Sequence, residues 1–129
     1  MNEKANEKIT AFYCRWSCND DVEIEKQKTA LIDYAMANSI EKYEFYIDNG
    51  YTCYSTNRPS LIKLMTDAEK GRITEIVFTN TARFGQYSRQ IDEIIRQFLN
   101  CGVVFKSLDE MDTLVFMPLF FSLLEEKEA

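Results

Sequence analysis

Four short runs rich in β-branched and aromatic residues alternate with three longer stretches whose apolar residues recur at helical spacing. This alternation limits the possible folds more than any other property of the chain. The runs are Ile9-Thr10-Ala11-Phe12-Tyr13-Cys14, residues 43–47, Glu75-Ile76-Val77-Phe78-Thr79 and Val103-Val104-Phe105. After the first run, Ile24, Leu31, Tyr34 and Ala35 mark a helix over about residues 23–38, with Asp20 or Asp21 as its cap. After the second, Arg58-Pro59 opens a helix whose Leu61, Leu64, Met65 and Ala68 share one stripe, and Gly71 stops it in the left-handed conformation. After the third, Ile91, Ile94, Ile95 and Phe98 form a stripe that Gly102 closes. The resulting β-α-β-α-β-α-β order predicts an α/β fold of three layers, a mostly parallel sheet flanked by helices. A final apolar stretch, residues 113–124, predicts one more helix.

At 129 residues, with 46% hydrophobic and 28% charged positions, the chain predicts one soluble domain, residues 1–129, led by a polar tail over residues 1–8. The segment 113–129 begins with apolar residues on nearly every side, and one domain covers only one face of a helix, so it predicts a homo-oligomer contact. Its apolar part is too short for a bilayer, which needs ~20 residues, and no membrane association is expected. There is no histidine, and Cys14 and Cys18 are separated by three residues rather than the two of a zinc knuckle. No metal or other cofactor is expected, and the four cysteines read as reduced thiols of a cytoplasmic protein. The net charge of −6 argues against an unaided grip on nucleic acid, because phosphate contacts need clustered cations.

In open parallel sheets, ligands bind beyond the carboxyl ends of the strands. Arg15 and Ser17 end the first strand two residues apart, so they share a face. A hydroxyl beside a guanidinium suits attack on a phosphate, whose oxygens the fork can hold in pairs. Asp48 opens a ten-residue polar and aromatic loop running to Asn57, and Arg58 begins the helix after it. Arg83 lies in the loop after the third strand. All of these features fall on one edge of the predicted sheet.

With those pieces in place, residues 9–112 resemble the catalytic domain of the serine recombinases, the resolvase and invertase family, and most of all the large members carried by conjugative transposons and phages. Tyr13-Cys14-Arg15-Trp16-Ser17 is similar to the family's Tyr-x-Arg-x-Ser motif. Gln27 falls where the family has a glutamine early in its first helix. Asp48-Asn49-Gly50-Tyr51 with Asn57-Arg58-Pro59 resembles its Asp-Gly-Tyr-Ser-Gly loop and Asp-Arg-Pro helix start, and Arg83-Phe84-Gly85 its Ser-Arg-Phe-Gly-Arg segment. The resemblance implies site-specific DNA recombination, with Ser17 as the nucleophile that leaves a 5′-phosphoserine link. Arg15, Arg58 and Arg83 would surround the phosphate, with Gln27, Asp48 and Gln86 in support. It also implies DNA and further copies of the chain as partners, with a basic DNA-binding region beyond the catalytic domain; this sequence ends at Ala129, so the grip on DNA is expected from elsewhere.

Four positions depart from the pattern. Ala82 stands where the family has Asp or Ser, Gln86 where it has a further arginine, and Thr52-Cys53 in place of Ser-Gly. Loss of one charged contact to a buried transition state costs about 2–5 kcal/mol, a few orders of magnitude in rate. The alternative reading is therefore a catalytically degenerate module with a regulatory or protein-interaction role. A phosphatase-like loop from Cys53 to Arg58 is rejected, because four residues intervene where such a loop uses five.

Overall fold

The computed structural model describes residues 7–55, 57–86 and 88–109. Four strands form one sheet in the order β2-β1-β3-β4, every neighbouring pair parallel: β1 (Ile9–Trp16), β2 (Tyr43–Asn49), β3 (Ile73–Phe78) and β4 (Val104–Ser107). Helices α1 (Asp21–Ala37), α2 (Pro59–Glu69) and α3 (Ser88–Leu99) make the crossovers. The chain steps from β1 to β2 in one direction and from β2 past β1 to β3 and β4 in the other. Right-handed connections then place α1 on one face and α2 with α3 on the opposite face.

The core divides along that plan. Ile24, Leu31 and Ala35 of α1 pack on Phe12, Cys14 and Val77. Leu64 and Ala68 of α2, with Phe98 of α3, pack on Ala11, Tyr13, Ile76 and Phe78. Alternate residues of β1 thus enter different cores, and a strand covered on both sides reads as a continuous apolar run. Three layers and a parallel sheet are as the alternation predicts. The anticipated helix over residues 113–129 lies outside the described residues.

Some boundaries differ from expectation. Asp48 belongs to β2, paired with Arg15, and does not open the loop. The reason is that β2 follows β1 to its end, Trp16 opposite Asn49, and the Asp48 carboxylate is fully buried. Between Asn80 and Gln86 the chain is not irregular throughout: Thr81–Arg83 makes one 3-10 turn, capped by Asn80, whose Oδ1 accepts from the Ala82 N–H at 3.1 Å. Phe84 holds that turn to the core. It is fully buried, stacked on Tyr13 at 5.1 Å and edge-on to Phe78 at 4.7 Å. Burial of a phenylalanine on this scale is worth about 2–3 kcal/mol.

Candidate active site

Strands β1 and β3 pair only as far as Phe12 opposite Val77, then part. Their connections leave toward opposite faces of the sheet, which makes the gap a topological switch point. The Gln27 amide fills the place of a strand partner for Arg15: its Oε1 accepts from the Arg15 N–H at 3.2 Å and its Nε2 donates to the Arg15 carbonyl at 3.0 Å. Gln27 can reach because α1 starts close by, its first turn closed by Asp20, which accepts from the N–H groups of Val22 and Glu23.

Arg15 is buried, and its side chain is held at three points. Nε donates to the Arg83 carbonyl at 2.8 Å, Nη1 to Tyr51 at 3.0 Å and Nη2 to Ala82 at 2.7 Å. One N–H on each terminal nitrogen has no partner among the described residues. Burial lowers the Arg15 pKa, with the nearby Arg58 cation adding to the effect. A guanidinium still keeps its charge in this setting.

Arg15 lines a cleft of about 330 Å³ with Ser17, Thr52, Cys53, Tyr54, Ala82, Gly85 and Gln86. Ser17 is exposed, and its hydroxyl makes no hydrogen bond among the described residues. On this wall Arg15 is the one charged side chain among the described residues. The structure thus brings Ser17, Arg15 and Gln86 together, with the Tyr54 hydroxyl donating to Gln86 Oε1.

The other two arginines sit elsewhere. Arg83 lines a neighbouring cleft of about 170 Å³ with Trp16, Gln27 and Asn80, its guanidinium 5.2 Å from the Trp16 ring centre. Its Nη1 donates to the Arg15 carbonyl at 2.6 Å and its Nε to Asn80 Oδ1 at 3.3 Å. Burial, then the Arg15 charge, lowers its pKa. Arg58 lines neither cleft. It is buried and donates to the carbonyls of Phe84 at 2.8 Å and Arg83 at 2.7 Å, and to the Tyr13 hydroxyl at 2.9 Å.

Beneath them, Asp48 takes the Tyr13 hydroxyl at 2.7 Å and the backbone N–H groups of Ser60 and Leu61 at 2.8 and 3.0 Å. A carboxylate from β2 therefore caps α2, whose N-cap residue Arg58 makes no capping bond with its side chain. The chain of bonds from Asp48 through Tyr13 to Arg58 fixes the 81–84 turn, and so the carbonyls that hold Arg15. The sequence places Tyr13 at the head of the Tyr-x-Arg-x-Ser motif without giving it a role. Its position two residues before Arg15, hence on the same face, is the signal that could have found it.

A family model described as "Resolvase, N terminal domain" matches residues 10–125. No curated protein sequence matches the chain. Among solved structures, the N-terminal catalytic domain of TP901-1 integrase is similar, with a TM-score of 0.74 and 22% identity over 94% of this chain and 98% of that one. The C-terminal catalytic domain of ISC1926 TnpA, an IS607-like serine recombinase, has a TM-score of 0.70 and 22% identity over 88% of this chain and 79% of that one. A resolvase family site-specific recombinase from Streptococcus pneumoniae has a TM-score of 0.64 and 21% identity over 94% and 89%.

Proposed function

This chain belongs to the resolvase N-terminal domain family, and from that premise we propose that it catalyses site-specific DNA recombination through a covalent 5′-phosphoserine at Ser17. The observation that carries the proposal is the shared cleft: an exposed hydroxyl beside a buried guanidinium that has one uncommitted N–H on each terminal nitrogen. Two such donors match two oxygens of a phosphodiester. In the step proposed, Ser17 Oγ attacks phosphorus, the P–O3′ bond breaks, and the serine proton is balanced by protonation of the 3′ oxygen. Catalysis of this kind rests on position and on charge stabilisation, which the fixed guanidinium supplies in a site partly shielded from water. Arg83 and Arg58 support it from outside the cleft by fixing the Arg15 backbone and the 81–84 turn.

The reading includes a cytoplasmic protein that works as a homo-oligomer, with DNA held by a region other than this acidic domain. Its test is a covalent adduct: the protein is incubated with DNA from either side of its gene, and the tryptic peptide that begins at Trp16 is examined for a 5′-phosphonucleotide. An adduct that disappears in Ser17→Ala supports the proposal, and an adduct unaffected by that change refutes it. A second reading, a degenerate module with a regulatory role, is favoured by Ala82 and Gln86. Both line the cleft and neither brings a charge. If that reading holds, no adduct forms, and the protein instead co-purifies with an intact recombinase.

A further inference from the structure

The Ser17 cleft has two walls that come from different loops, Thr52 to Tyr54 on one side and Gly85 with Gln86 on the other. One side chain of α3 ties them together. Gln90 donates from Nε2 to the Cys53 carbonyl at 2.5 Å and accepts through Oε1 from the Gln86 N–H at 3.1 Å. The two ends of a single rigid amide are spent on the two walls. The first wall is itself a closed turn, with the Ser55 N–H bonded to the Thr52 carbonyl at 3.1 Å, so it can shift as a unit.

Gly85 makes the space for this tie. A Cβ there would lie 2.5 Å from Gln90 Oε1, 2.8 Å from Cδ and 2.9 Å from Cγ. Gly85 is not among the glycines with positive φ, so its backbone does not call for glycine, and the room taken by Gln90 does.

We propose that Gln90 is a positioning residue: by tying the Thr52–Ser55 turn to the Gly85-Gln86 segment it sets the width of the cleft that Ser17 and Arg15 share. What that width does for catalysis rests on the recombination reading, whereas the tie itself does not. Misplacement of a reacting group by about 1 Å can cost about a hundredfold in rate.

Cys53 and Cys18 are native reporters of the tie. Cys53 lies on the tethered turn and is half-buried, Cys18 is exposed, and Cys14 is buried in the core. The experiment is site-resolved alkylation with iodoacetamide, followed by mass spectrometry on the full chain. Gln90→Ala should speed Cys53 labelling about tenfold, the effect of losing one hydrogen bond of ordinary net strength, with Cys18 and Cys14 unchanged. Gln90→Glu keeps the acceptor for Gln86 but loses the donor to Cys53, and should do the same. Gly85→Ala pushes Gln90 aside without altering it and should match both, and the Gly85→Ala/Gln90→Ala pair should add nothing further. Cys53 labelling at the wild-type rate in Gln90→Glu and Gly85→Ala overturns the tie.

In the adduct assay Gln90→Ala should slow Ser17 adduct formation at least about tenfold at saturating DNA, with the half-saturating DNA concentration unchanged. A wild-type adduct rate despite faster Cys53 labelling overturns the positioning role. If the unaltered protein forms no adduct, the recombination reading fails, and the labelling result still decides the tie.

Discussion

Asp48 does two jobs with one buried carboxylate. It accepts the first N–H groups of α2 from Ser60 and Leu61, and it accepts the hydroxyl of Tyr13, which in turn receives Arg58. Truncation to alanine would orphan two helix-terminal N–H groups and unbalance a buried guanidinium network in the same step. Asp48→Ala is therefore expected to cost about 3 kcal/mol, the sum of a lost cap and a buried unsatisfied group. Asp48→Asn keeps one acceptor oxygen and should cost about half as much. The urea midpoint at constant m-value reads both. A loss under about 1 kcal/mol for the alanine variant would mean that α2 starts without this cap. Ser17 is the opposite case: it is exposed and makes no bond among the described residues, so Ser17→Ala should leave the midpoint unchanged within about 0.5 kcal/mol while removing any adduct.

Helices α2 and α3 both end against a glycine in the left-handed region, Gly71 at φ 77° and Gly102 at φ 79°. Neither has any atom near the place a Cβ would take. Alanine at either position thus meets only backbone strain, and each substitution should cost about 1 kcal/mol and add to the other, read as thermal midpoints. Those two stops were legible in the sequence, as were the apolar stripes at Ile24, Leu31 and Ala35, at Leu64 and Ala68, and at Ile91, Ile95 and Phe98, all of which are buried. Helix periodicity and terminal glycines are local signals, and a single chain carries them openly. The placing of Arg15 and Ser17 at the carboxyl end of β1 was legible for the same reason, although Arg15 is still paired within the strand and only Ser17 lies past it. What the pattern could not carry was the direction of each arginine. Arg15, Arg58 and Arg83 all donate to main-chain carbonyls, and a carbonyl is the same at every residue, so nothing in the side-chain sequence says which one is taken. The Gln90 tie was hidden likewise: an amide in the first turn of a helix looks like ordinary surface until the facing loop is known. Asp48 read as a loop residue because a polar residue after an aromatic run looks like the end of a strand.

A sheet covered on both faces buries side chains that would titrate in water, and the whole molecule then carries an alkaline limit. Burial pushes the Cys14 thiol from 9.0 up to about 12. Burial also raises the Tyr13 hydroxyl well above its ordinary 10.0, with the Asp48 carboxylate adding to the rise and the Arg58 charge opposing it. Tyr46 is raised too, by burial and by its hydrogen bond to Asp67 at 2.6 Å. All three lie in β1 or β2 and are almost fully buried. In the unfolded chain the thiol loses its proton near 9.0, whereas in the folded chain it keeps the proton until about 12. Between those limits the unfolded state binds fewer protons, so rising pH favours unfolding. The stabilisation is complete below pH 9.0 and is lost as pH climbs toward 12, at about 1.4 kcal/mol per pH unit for each group so affected. Tyr13 and Tyr46 join from their ordinary 10.0, which steepens the fall to about 4 kcal/mol per unit. By pH 11 the loss reaches about 5 kcal/mol, enough to unfold a domain at the lower end of the ordinary range of about 5–15 kcal/mol. Urea midpoints measured from pH 8 to 11 should be flat, then fall from pH 9.0 and more steeply from 10.0. Cys14→Ala lowers the plateau by leaving a small void but takes away the first phase, so its stability holds to pH 10.0 before it falls. A Cys14→Ala curve that still declines from pH 9.0 would show that the buried thiol is not the group that sets the onset.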